Sequence, residues 1–338
     1  MRMRASFLPA IIATLVCAWL AQAQETTPDA QVKPASGEEK TTGSTAPGAL
    51  PEGGAEPLKN EESAEDGKYL LRYKVKAGEV MRWEIVHQFQ FDTTVNGTTQ
   101  QARTYSKSVK AWRVEDVDDE GNFTFNHIVE STMMWQELTG RARVTWDSTK
   151  AEAVPAGFED VAKSLKRVLY VVKMDRHGEI LKRLVKYQSP GFDDGAAERQ
   201  MTVPLPKEPV AIGHSWFLNY PIRLQLENGS YKSFDARDRF SLVGVKDGVA
   251  TISNETQILT PVRDPSLEAQ LVQRGGKGEI DFDLATGRVI RQRTDVDKNA
   301  VGFRGQASSI HYVSRFTERY LNDSVDTAQK RHTTTETK

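Results

Sequence analysis

The sequence predicts a mainly β protein: a large curved antiparallel sheet or half-barrel built from two duplicated halves, with two or three short helices. Three observations predict it. From Tyr69 to Leu321 apolar and polar residues alternate, as in Leu71-Arg72-Tyr73-Lys74-Val75 and in Ile310 to Tyr320. Period two with one apolar face marks strands packed on one side and wet on the other. Turn signals separate roughly a dozen such runs, and helical periodicity is confined to short segments, too sparse for the crossovers of a parallel sheet.

The elements follow in chain order. Arg2 and Arg4, the short apolar run Phe7 to Leu20 and Ala21-Gln22-Ala23 read as an export leader spanning 1–23, with cleavage after Ala23. The protein is therefore expected to be exported, to the periplasm or the cell exterior, and not to be an integral membrane protein after cleavage. Cys17 is the only cysteine and lies inside the leader, so the mature chain has no disulfide and no thiolate ligand. Residues 24–68 hold ten acids, four lysines, two leucines (Leu50 and Leu58) and no aromatic residue. Such a segment cannot bury enough apolar surface to offset its chain entropy, and it reads as a disordered linker. The polar tail 322–338 reads the same way.

The β-rich domain then occupies 69–321, and its landmarks occur twice. Gly78 precedes Met81, Trp83 and Ile85; Gly213 precedes Trp216, Leu218 and Tyr220 at the same offsets. Asn96-Gly97 and Asn228-Gly229 each suit a two-residue hairpin turn. Trp112-x-Val114 is matched by Phe240-x-Leu242, Glu120-Gly121 by Asp247-Gly248, and the turn Asp175 to Gly178 by Asp283 to Gly287. A helix is expected at Phe158, Val161, Ala162 and Leu165, and another after the cap Asp264-Pro265. Asp193 to Gln200 is a further helix candidate. These landmarks predict a tandem repeat, 69–187 and 203–321, with an extra hairpin at Thr139-Gly140 in the first copy.

Function is sought in what the composition excludes and the motifs offer. The 338-residue chain is 38% hydrophobic and 27% charged with a net charge of −1, which gives no footprint for nucleic acid. Asp116-Val117-Asp118-Asp119-Glu120-Gly121 resembles the start of a calcium loop, but His127 stands where the bidentate Glu belongs, so an acidic hairpin turn is expected. Gly275-Gly276-Lys277-Gly278 lacks phosphate-loop spacing and reads as the glycine that ends a helix. No catalytic, metal or cofactor motif is present, so neither a metal nor a cofactor is expected.

The segments Gly78 to Trp83, Ser108-Val109-Lys110-Ala111-Trp112 and Ala307 to Phe316, behind a leader and a polar spacer, resemble an uncharacterised family of exported bacterial β-rich proteins. That resemblance covers the whole folded part and implies no activity and no site residues. More remotely, the element order is similar to that of periplasmic lipoprotein carriers, which bind acyl chains in a half-open β cavity.

Three functions follow as expectations. The first is a non-catalytic binding or carrier module for an apolar or amphipathic ligand such as a lipid, held by Trp83, Trp112, Trp135 and Trp216 where they are not core. The second is an envelope structural or protein-interaction module. The third is a hydrolase with an unrecognised site.

Overall fold

The computed structural model describes residues 67–187, 202–226 and 228–321. The leader, most of the linker, the helix candidate Asp193 to Gln200 and the tail lie outside the described residues. The described residues form fourteen strands: β1 (Lys68–Tyr69), β2 (Val80–Val95), β3 (Thr98–Val117), β4 (Phe123–Leu138), β5 (Val144–Asp147), β6 (Val168–Met174), β7 (Ile180–Val185), β8 (Val210–Ala211), β9 (Ser215–Gln225), β10 (Tyr231–Lys246), β11 (Val249–Ile258), β12 (Lys277–Asp283), β13 (Arg288–Val301) and β14 (Ser308–Leu321). Helix α1 (Glu159–Ser164) lies between β5 and β6, and α2 (Pro265–Leu271) between β11 and β12.

Twelve strands form one antiparallel sheet in the order β7-β6-β4-β3-β2-β14-β13-β12-β11-β10-β9, with β5 paired to β4. The sheet does not close into a barrel, because β7 and β9 are its two ends. Its seam is the long pairing of β14 with β2, in register from Ser308↔Val95 to Leu321↔Arg82.

The expected alternation becomes an inner and an outer face. Inner side chains of both halves, including Met81, Trp83, Phe123 and Phe125 from the first and Phe240, Leu242, Ile252 and Phe282 from the second, join one core. The chain stretch Leu71 to Val75 threads between them. Tyr73 N donates to Arg176 O at 2.8 Å in the β6–β7 turn, and Lys74 N to Gly287 O at 3.1 Å in the β12–β13 turn. The Tyr73 ring meets Phe123 at 6.4 Å and Phe282 at 5.7 Å. Gly287 has φ +62, and a Cβ there would lie 2.5 Å from Arg72 O and Lys74 N, so the close approach requires glycine.

The helices fill other parts of the fold. In α2, Asp264 caps by accepting Ser266 N at 2.9 Å, and Pro265 opens the first turn. Its Leu267 and Leu271 pack with Ile222, Leu224 and Phe234, while Ala269 joins Phe91, Phe303 and Tyr312. α2 thus ties β9 and β10 to β2 and β14. In the first half, Phe158 and Val161 pack on Met134 and Trp146.

Two local expectations are corrected. Asn96 (φ 50) and Gly97 (φ 78) form the expected two-residue turn, but Asn228-Gly229 sits in a longer loop. There Leu226 N donates to Ser230 O, Gly229 N donates to Leu226 O, and Asn228 Oδ1 accepts Ser230 N; the asparagine side chain holds the wider loop. Gly275 has φ −118, not the left-handed value of a terminating glycine. The neighbouring glycines serve close packing instead: a Cβ on Gly276 would lie 2.8 Å from Thr294 Cγ2.

Candidate functional site

The tryptophans separate into buried and half-buried positions. Trp83 and Trp112 are 2% and 3% exposed. Their rings lie 4.9 Å apart, Trp83 Nε1 donates to Val289 O at 2.9 Å, and Trp112 stacks on Phe125 at 4.3 Å. Lys110 Nζ sits 5.0 Å from the Trp83 ring and forms an ion pair of 2.8 Å with Glu318. Both ionic side chains are nearly dry, at 5% and 6% exposure. Trp216 is half-buried on the core edge, with Nε1 donating to Pro204 O at 2.8 Å and its ring stacked on Phe240. Trp135 points the other way. It stacks on Tyr105 at 6.0 Å on the outer face, beneath the Arg143 guanidinium at 4.1 Å. The structure therefore does not gather the four tryptophans into one surface.

The inner face also holds two half-buried imidazoles. His127 has a buried Nδ1 without a hydrogen-bond partner, beside the equally unpartnered Trp112 Nε1, its cross-strand neighbour. Burial, with Lys110 nearby, pushes its pKa down to about 3. His87 lies between the rings of Phe89 (5.8 Å) and Phe316 (6.3 Å), and burial lowers its pKa to about 4. No three His, Cys, Asp or Glu side chains converge as a metal site among the described residues. The acidic run at Asp116 is a turn: Asp118 accepts from the Glu120 and Asn122 amides and pairs with Lys173 at 2.9 Å, which holds its carboxyl near 2.

The outer face carries the clearest functional pattern. Strand register lines up Phe217, Arg239, Glu255, Lys277, Asp295, Arg315, Gln88, Tyr105 and Trp135 as directly opposed neighbours, one per strand from β9 to β4. Charges alternate in the middle of this row, and aromatic rings stand at both ends. Across the seam strands and their neighbours, charges on this face close ion pairs: Arg315–Asp295, Arg293–Asp295, Arg291–Asp281, Lys107–Glu84 and Arg82–Glu130, all at 2.7–2.9 Å.

Over β10–β13 the same ladder opens into a groove of about 610 Å³, lined by Arg239, Ser241, Ser253, Glu255, Lys277 and Glu279, with Arg293 and Asp295 at its far wall. Register places Arg239 and Lys277 on either side of Glu255. Yet Arg239 reaches Ser215 Oγ at 3.2 Å, Glu255 accepts from Gln257 Nε2 at 3.4 Å, and neither closes an ion pair with any described residue. Among the described residues, Lys277 and Glu279 have no partner for an ion pair or a side-chain hydrogen bond. Phe217 (48% exposed) stands opposite Arg239 on β9, its ring beneath the Arg237 guanidinium at 4.6 Å, and Val243 (56% exposed) follows Ser241 along β10. Sequence reasoning missed this site because each strand supplies only one or two members. The available signal was the charge alternating with Ile280 and Phe282 in Lys277 to Asp283, whose opposite neighbours the sequence alone does not supply.

No family model matches the chain, and no curated protein does. Among solved structures, a chain described as "Lipid-protein interactions in lipovitellin" is similar with a TM-score of 0.41 and 11% identity. The match covers 74% of this chain and 26% of that one, so this chain spans about a quarter of that chain's length.

Proposed function

We propose that the protein is an exported, non-catalytic binding module that takes an amphipathic ligand on the outer face of its sheet. The observation that carries this reading is the groove over β10–β13. Four charged side chains there close no ion pair among the described residues, although register sets opposite signs side by side and Arg82, Lys107, Arg291, Arg293 and Arg315 elsewhere on the face are paired. A polar head group would complete those contacts, and Phe217 and Val243 offer an apolar rim for the remainder of the molecule. The leader read from Arg2 to Ala23 supports export.

The test is native mass spectrometry of the purified full chain, wild type against Glu255→Lys/Lys277→Glu. A small-molecule adduct on the wild type, lost in the folded variant, is the expected result. No adduct, or one insensitive to the groove, overturns it.

A second reading places an apolar ligand, such as an acyl chain, on the inner face. It is favoured by the band of Ile85, His87, Phe89 and Phe316, which stays partly exposed between two closed clusters. The His87 imidazole has no hydrogen bond to the described residues and would be the polar handle of that site. An adduct lost on His87→Ala and retained by the groove variant selects it. A native complex with a protein instead would select an envelope interaction module.

A further inference from the structure

We propose that the groove over β10–β13 is a site for a zwitterion of phosphate and ammonium. This deepens the reading above and rests on it. The groove is electrically balanced: Arg239, Lys277 and Arg293 face Glu255, Glu279 and Asp295. A simple anion would meet three carboxylates at close range, and a simple cation three bases, so neither sign alone is favoured. A molecule carrying both signs meets complementary charge at each end.

The spacing agrees. Arg239, Glu255 and Lys277 succeed one another on adjacent strands, about 4.8 Å apart. That is comparable to the separation of phosphate and ammonium across the two carbons of an ethanolamine ester. The phosphate takes Lys277 or Arg239, each one strand away from Glu255; ammonium and guanidinium donors are suited to it. The ammonium takes Glu255 or Glu279, and Ser253 stands beside Glu279 with Ser241 next in the row. Arg293 is already paired with Asp295 at 2.7 Å, so the unpaired set Arg239, Glu255, Lys277 and Glu279 forms the contact surface. The same chemistry comes from two sources, a soluble phosphoethanolamine or the head group of a phosphatidylethanolamine membrane.

The experiment is calorimetric titration of the full chain with phosphoethanolamine, inorganic phosphate and ethylamine, with flotation on vesicles of phosphatidylethanolamine or phosphatidylglycerol. Phosphoethanolamine should bind at least tenfold more tightly than either single-charge probe. Glu255→Gln should erase that preference, and Lys277→Gln should weaken phosphoethanolamine and phosphate alike, while both variants unfold like the wild type. Vesicle binding competed by phosphoethanolamine assigns the source to the membrane, and titration without flotation assigns it to the soluble ester. Equal affinity for phosphate, no binding of any probe, or vesicle binding that phosphoethanolamine does not compete overturns the proposal. If the probes fail while the native adduct still depends on Glu255 and Lys277, the zwitterion class is wrong and the groove reading stands. If the adduct ignores both residues, both are wrong.

Discussion

The two halves of the sheet share a pairing order and differ in where they place their charges. The first half runs β2-β3-β4, helix, β6-β7, and the second runs β9-β10-β11, helix, β12-β13, each paired antiparallel in the same sequence. Gly78 N donates to Val114 O while Val114 N donates to Glu79 O; Gly213 N, Leu242 and His214 repeat this arrangement. A register shift follows each, at Val114/Asp116 and at Leu242/Gly244. On these parallels we propose that the halves arose by duplication. A superposition of 69–187 on 203–321 that set these pairs on different strands would break the idea.

The differences lie in turns and surfaces. The two-residue turn with two positive φ values joins the first two strands in the first half (Asn96-Gly97) but the second and third in the other half (Asp247, φ 51, and Gly248, φ 76). The first half adds β5; the second half lacks that hairpin, pairs its outer charges on β12–β14 and leaves a groove over β10–β13 in which Arg239, Glu255, Lys277 and Glu279 close no ion pair among the described residues. Pairing order is thus fixed by the inner face, where any slip by one residue would expose the core. The outer face is free to diverge, and the proposed binding function sits where it has diverged.

The largest expected effects test the shared inner face. Trp83→Ala should cost about 3–5 kcal/mol, read as a fall in the urea midpoint, because its ring is enclosed by Trp112 and Tyr320 and its Nε1 is hydrogen-bonded. Trp135→Ala, on the outer face, should cost far less. Lys110→Met should be comparably severe, about 3–5 kcal/mol, because it strands a dry Glu318 at the seam. Adding Glu318→Leu should recover much of the loss. If Lys110→Met were silent, the buried pair would not be what fixes β14 against β2 and β3.

Next in size is a pH effect confined to the inner face. His87 and His127 have folded pKa values of about 4 and about 3, below the ordinary 6.5, because burial disfavours their charged forms. Their contribution is complete above the unfolded pKa and is lost as pH falls from there towards the folded values. His87 alone should cost about 3 kcal/mol by pH 4, and His87→Phe should flatten the urea-midpoint profile between pH 6.5 and 4. An unchanged profile would mean that His87 is wetter than its neighbours Phe89 and Phe316 imply.

How much of this was legible follows from the same contrast. Alternation in Ile310 to Tyr320 reports burial directly, so the open antiparallel sheet was readable; Leu71 to Val75 alternates in the same way, yet its amides bond to two turns and it forms no strand. Asp264-Pro265 marked the start of α2 because capping is local. The turn at Asn228-Gly229 was misread because the dipeptide suits more than one loop length, and tertiary pairing chose the longer. The groove was not readable at all: Arg239, Glu255, Lys277 and Asp295 are separated along the chain by 16 to 22 positions and become neighbours only through register. Trp83 and Trp135 look alike in sequence, each in an alternating run, yet only the packing of the second half on the first buries one and not the other.

The smallest effect compares how the two helices end. α2 passes through the 3-10 turn Val272–Arg274 to Gly275, with ordinary negative φ values. α1 ends by way of Lys166, which holds φ 60 while its amide donates to Val129 O at 2.8 Å. A side chain with a Cβ in the left-handed region costs roughly 1–2 kcal/mol, whereas glycine enters it freely but has more unfolded-state entropy to lose. Lys166→Gly should therefore raise stability, by a net of about 0.5 kcal/mol. Lys166→Ala keeps the Cβ and removes only an exposed charge, so it should leave the urea midpoint nearly unchanged. A gain with alanine as large as with glycine would place the effect in the lysine's charge and not in the backbone, and the two helix exits would then differ in chemistry alone.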